Sequence, residues 1–165
     1  MTTPDDTALD LLRDRVENLE RAADENATDN VYARCYGILA TALFLLSFLP
    51  YSTTDDGWRD NAWEGPGGGH TGATLNTFAM LFLLPLLFTL LCATVRPGKS
   101  PWVGWVIGAL ALGVGVFTWA LTLNLAYPSW ATTALIVVSF VCAVTGFIHG
   151  THRLRIRDRA LLTDL

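Results

Sequence analysis

Charge is scarce in this 165-residue chain: Asp, Glu, Lys and Arg make up 16% of it, against about 25% in an ordinary soluble domain. The shortage is also uneven. Residues 35–54, 65–95 and 100–152 contain none of the four, and the last stretch holds only two titratable histidines, His149 and His152. A soluble protein of this size cannot cover three such stretches, which excludes a water-soluble enzyme. A hydrophobic fraction of 52% excludes a disordered chain. Net charge −4 and a pI of 5.2 exclude a nucleic-acid-binding module, which needs a basic face. Lysine occurs once, at Lys99, beside ten arginines. That bias, with frequent Ala, points by association to a GC-rich bacterial genome. Cysteine is sparse too. Cys35, Cys92 and Cys142 form no CxxC pair and fall inside apolar segments, which reads as buried thiols rather than disulfides or metal ligands.

What remains is an integral membrane protein. A bilayer core of about 30 Å takes about 20 apolar helical residues to cross. The charge-free stretches divide into four such units, at about residues 31–50, 73–95, 102–127 and 130–149. Barrel strands alternate in character, whereas residues 81–95 (LFLLPLLFTLLCATV) are apolar on every side. Helices also satisfy their own backbone groups, as lipid requires. The expectation is an all-α fold, an integral membrane four-helix bundle with four transmembrane helices. The first segment follows thirty polar residues instead of a short basic region, so it is expected to be a permanent span, not a cleaved signal.

Orientation follows from the cations. With four crossings, residues 1–30, the 96–100 loop and the 151–165 tail share one side, and that side, counting Arg34 one turn inside the first span, holds ten of the eleven Lys and Arg; only Arg59 lies opposite. The positive-inside rule places both termini in the cytoplasm and the protein in the cell membrane as a multi-pass chain. Tyr32, Tyr36, Trp102 and Trp105 then mark the inner interface, and Tyr51, Tyr127 and Trp130 the outer one.

The cytoplasmic segment has a sharper pattern. Leu9, Leu12, Val16, Leu19 and Ala23 recur at spacings of 3, 4, 3 and 4, the a/d seam of a coiled coil, on a helix expected over about 7–26. Thr7 with Asp10 reads as the capping box that starts it. Arg13, Glu17 and Arg21 place opposite charges one turn apart on its outer face. Such a seam folds back on the protein's own loops, self-associates or docks on a partner. Nine acidic residues against three basic ones in residues 1–30 argue against a surface helix on anionic lipid.

Within the spans, small residues mark where helices touch. Gly104, Gly108, Ala111 and Gly115 form one smooth face of the third, and Ser139, Ala143, Gly146 and Gly150 one of the fourth. These faces either pack on each other or receive another subunit. Ala33 and Gly37 give the first span a shorter version, and Pro85 is expected to kink the second. No Asp, Glu, Lys or Arg occupies the middle of any span, where it would mark an ion or proton path. His149 and His152 near Arg153, Arg155, Arg157 and Arg159 read as an interfacial belt on lipid phosphates, with no carboxylate nearby in sequence to complete a metal site. The outer loop, residues 51–72, carries Trp58 and Trp63 as interfacial anchors or a contact patch, four acidic residues in no calcium-loop spacing, and His70 beside a glycine run. Nothing here forms a catalytic, cofactor-binding or metal-binding set.

In general character the chain resembles the small four-span proteins of bacteria, and no narrower family is legible. The leading expectation is a non-catalytic accessory, assembly or scaffold subunit of a larger cytoplasmic-membrane complex, partnered by the lipid bilayer and by other membrane subunits or copies of itself. The alternative is a small homo-oligomeric transporter or channel for an uncharged or small solute. A third class, a membrane enzyme or lipid-handling protein using His70 or the His149/His152 pair, has least in its favour.

Overall fold

The computed structural model describes residues 4–50, 52–53, 59–60, 77–95, 100–123 and 129–163. The regular structure among the described residues is helical apart from one two-residue strand pair. Helix α1 spans Pro4–Ser47. Strands β1 (Ser52–Thr53) and β2 (Arg59–Asp60) pair antiparallel, Ser52 opposite Asp60 and Thr53 opposite Arg59. A π-helical turn, Ala79–Leu83, leads into α2, Leu84–Val95. Helix α3 is Pro101–Thr122 and α4 is Trp130–Thr163.

Composition suggests a boundary near residue 30 that the backbone of α1 does not have. Its 44 residues form one uninterrupted helix, about 66 Å long at 1.5 Å per residue. The reason is local: between Pro4 and Gly37 there is neither glycine nor proline to break it. The start lies at Pro4, not at a Thr7 cap, consistent with proline's preset φ at a first helical turn. Arg13–Glu17 and Glu17–Arg21 pairs, each 3.7 Å, support the polar half. At the far end, Phe48 N–H to Leu45 O and Leu49 N–H to Leu46 O tighten the last turn before Pro50.

Pro85 produces a change of hydrogen-bond register in the preceding turn. Proline has no N–H and its ring crowds the carbonyl four residues back, here that of Leu81. The turn before it opens to π geometry, with the Leu84 N–H bonded to Ala79 O five residues earlier. Helix α3 opens on Ser100 with Pro101 at its first position and closes at Leu123, short of the expected residue 127; residues 124–128 lie outside the described residues. Helix α4 runs well past the expected end at 149, to Thr163.

Helices α3 and α4 make the closest pair, α1 packs on α2 and α4, and α2 also touches α3. The core between them holds Tyr36, Leu43, Leu83, Leu86, Leu90, Ile107, Val114, Leu135 and Cys142. Phe78 stacks on Phe117 at a centroid distance of 4.7 Å. The outside is as apolar as the inside: Ile38, Leu45, Phe88, Leu91, Trp119, Val137 and Val144 are all exposed. A soluble monomer rarely shows so continuous an apolar surface. Helices α1, α3 and α4 are long and apolar enough to cross a membrane, and Ala79–Val95 is a shorter apolar helix. The protein is therefore membrane-embedded.

Candidate functional site

The glycine faces meet inside the molecule. An added Cβ on Gly104 would fall 2.5 Å from Gly150 N and 2.7 Å from Gly146 O, and one on Gly146 would fall 2.6 Å from Gly108 N. Backbone touches backbone there, the close approach that holds helices together where lipid supplies no hydrophobic drive. Ala111, Ser139 and Ala143 are buried along the same contact, and Gly115 lies against Phe140 and Ser139. This face is used up between α3 and α4.

Where α1 and α4 cross near the end from which both project, the structure assembles a polar cluster that the sequence reading missed. Asp29 and Arg153 are only 4% and 6% exposed, and an Arg153 guanidinium N–H donates to Asp29 Oδ2. Glu25 Oε2 lies 3.7 Å from the same guanidinium. His149 is buried beside them, sharing a 2.8 Å hydrogen bond through Nδ1 with the Tyr36 hydroxyl and stacked on Tyr32 at 4.3 Å. Its Nε2 is 4.0 Å from Asp29 Oδ1, beyond hydrogen-bond reach.

Helix geometry explains the convergence. Glu25, Asp29, Tyr32 and Tyr36 follow at spacings of 4, 3 and 4 on α1, one stripe; His149 and Arg153 are four apart on α4. The partners are more than a hundred residues apart in sequence. This corrects the expected lipid-facing belt. His149 and Arg153 point into α1, while His152 and Arg155 are exposed, so the two histidines do not act together. The missing carboxylates are supplied by α1. The stripe on α1 was the available signal, obscured because its charges lie in the acidic segment and its tyrosines in the first span.

The cluster gives α1 and α4 a compensated ion pair, which a buried charge needs. Among the described residues no three His, Cys, Asp or Glu come together to hold a metal. At the opposite end Ser129 Oγ–H donates to Pro50 O. The two contacts thus tie α1 to α4 at Asp29–Arg153 and again just past the end of α1 and just before the start of α4; the 18 residue steps of α1 from Asp29 to Ser47 rise about 27 Å, close to the thickness of a bilayer core.

Beyond that clamp α1 projects bare. Leu9, Leu12, Val16 and Leu19 are 65%, 59%, 51% and 70% exposed, and Ala23 is exposed with them. The seam does not fold back on any described part of the chain. In the bilayer half of the same helix, Arg34, Gly37, Ile38, Thr41, Ala42 and Leu45 line a shallow open groove. Trp58 and Trp63 lie outside the described residues. No family model, no curated protein and no solved structure matches the chain.

Proposed function

We propose that this protein is a non-catalytic accessory or scaffold subunit of a larger complex in the bacterial cytoplasmic membrane. It crosses the bilayer four times, with both termini inside, and presents the first half of α1 as a docking rod. One observation carries the reading: an apolar seam left bare on a helix that is continuous with the bundle. An apolar stripe exposed to water is stable on a helix only with something to cover it. The cations supply the orientation, since the 1–30 segment, the 96–100 loop and the 151–165 tail carry nine of the eleven, and Arg34, one turn inside the first span, makes a tenth on the same side. Ala79–Val95 serves as the second crossing. The transport alternative needs an aqueous path, whereas the described interior is filled by Leu43, Leu86, Leu90, Ile107, Val114 and Leu135.

Affinity purification of the tagged full-length protein in mild detergent tests this. A stoichiometric membrane subunit should co-purify and be lost from the Leu12→Glu/Leu19→Glu variant, whose charges fall on the seam. A protein that purifies with no other subunit, or a subunit retained equally by the variant, would sink the reading.

A further inference from the structure

The seam and the groove belong to one face of α1. Leu19 and Gly37 are eighteen residues apart, as are Ala23 and Thr41 and Val16 and Arg34. At 3.6 residues per turn eighteen residues make five full turns, so each pair lies one above the other on an unbroken helix. All six are outside the buried face that carries Asp29, Tyr36, Ala40 and Leu43. The exposed strip therefore runs from Leu9 through the polar segment into the membrane. It is an apolar heptad seam first and a groove floored by Gly37 and Thr41 after. Small residues four apart are what membrane helices use to approach closely.

We infer that the occupant of this strip is α1 of a second copy of the same chain, parallel and in register. The inference rests on the assembly reading above and names one of its contacts. Two copies inserted in one membrane in the same orientation have parallel α1 helices, so only the parallel pairing has to be satisfied. With Leu9, Val16 and Ala23 at a and Leu12 and Leu19 at d, Arg15 occupies g and Glu20 the e position five residues on. In a parallel dimer g faces e′ of the next heptad, so Arg15 meets Glu20 of the other copy, and symmetry forms the pair twice. Both residues are exposed. The next layers of the same repeat are Asn26 at d and Asn30 at a. A buried a-position Asn favours two strands and fixes their register. Arg34 opens the groove at its inner end, where a long stem lets a guanidinium reach the headgroup level.

Disulfide cross-linking of the full chain in native membranes tests the pairing. Single cysteines are placed at Leu12→Cys, Leu19→Cys and Thr41→Cys in a background carrying Cys35→Ser, Cys92→Ser and Cys142→Ala. Each should give a covalent dimer about tenfold more than Asp14→Cys, which lies on the opposite side of the same helix. Equal or absent dimer at seam and control overturns the inference. A second measurement keeps the native cysteines: dimer mass in mild detergent should fall several-fold in Arg15→Glu and return in Arg15→Glu/Glu20→Arg. An unaffected dimer in the single variant, or a monomeric parent chain, also overturns it. The two readings fail separately. Seam cross-links without any co-purifying subunit uphold the dimer and remove the accessory role. A seam-dependent subunit without seam cross-links does the reverse.

Discussion

At the scale of single residues, the chemistry is concentrated where α1 crosses α4. A guanidinium and a carboxylate that water cannot reach are each costly alone and tolerable together. Arg153→Met, which leaves Asp29 buried without its cation, is expected to cost about 3–5 kcal/mol. The double variant Asp29→Leu/Arg153→Met should regain most of it, because both charges then leave together. Thermal unfolding of the three proteins in one detergent checks this, and a double variant no better than the single one would show that the pair contributes more than mutual neutralisation. This cluster was the least legible part of the molecule. Asp29 and Arg153 are 124 positions apart, and each reads from its own neighbourhood as an ordinary interfacial charge. Only the crossing of two helices turns those charges inward, and one sequence holds no record of a crossing.

Among the helices, what could be read depended on whether the cause was local. The apolar segments and the smooth faces of Gly104–Gly115 and Ser139–Gly150 stand in the sequence because spacing alone generates them. The merging of a polar helix and a membrane span into α1 was also legible in principle. No breaker separates them, but a change of composition resembles a boundary even where the backbone has none. The π turn before Pro85 was half visible: proline announces a disturbed hydrogen bond, while kink and register shift are settled by packing. The α3–α4 contact yields a sharp test. Gly104→Ile drives a branched side chain into the backbone of Gly146 and Gly150, and is expected to cost about 3 kcal/mol or more, above the usual penalty for overpacking. Gly115→Ala, whose added Cβ meets Phe140 at an ordinary 3.4 Å, should be tolerated. Folded yield and melting temperature compare them, and equal damage from both would mean the two helices do not meet along this stripe.

For the molecule as a whole, the clamp at Asp29–Arg153 and the Ser129–Pro50 contact frame one bilayer thickness. That frame predicts which positions share a side. Cysteines introduced at Leu12 and Arg155 in a cysteine-free background should be protected in intact cells from a membrane-impermeant thiol reagent and react once the membrane is opened. One introduced at Gly68 should react in intact cells. Reaction of Leu12→Cys and Arg155→Cys from opposite sides would require an odd number of crossings. That the chain is membrane-embedded was legible from its charge-free lengths, because they follow from the cost of moving charge through lipid; the four-span frame proposed above rests on the same lengths and on arginine placement.

The continuity of α1 also carries angular information. A flexible joint at residue 30 would let the seam swing freely about the bundle. A single helix instead fixes its bearing, so each residue added between Asp24 and Glu25 turns the seam by about 100° and lifts it by about 1.5 Å, while leaving Glu25 and Asp29 on Arg153. Phase, as much as apolarity, is then what any protein gripping the far end must match.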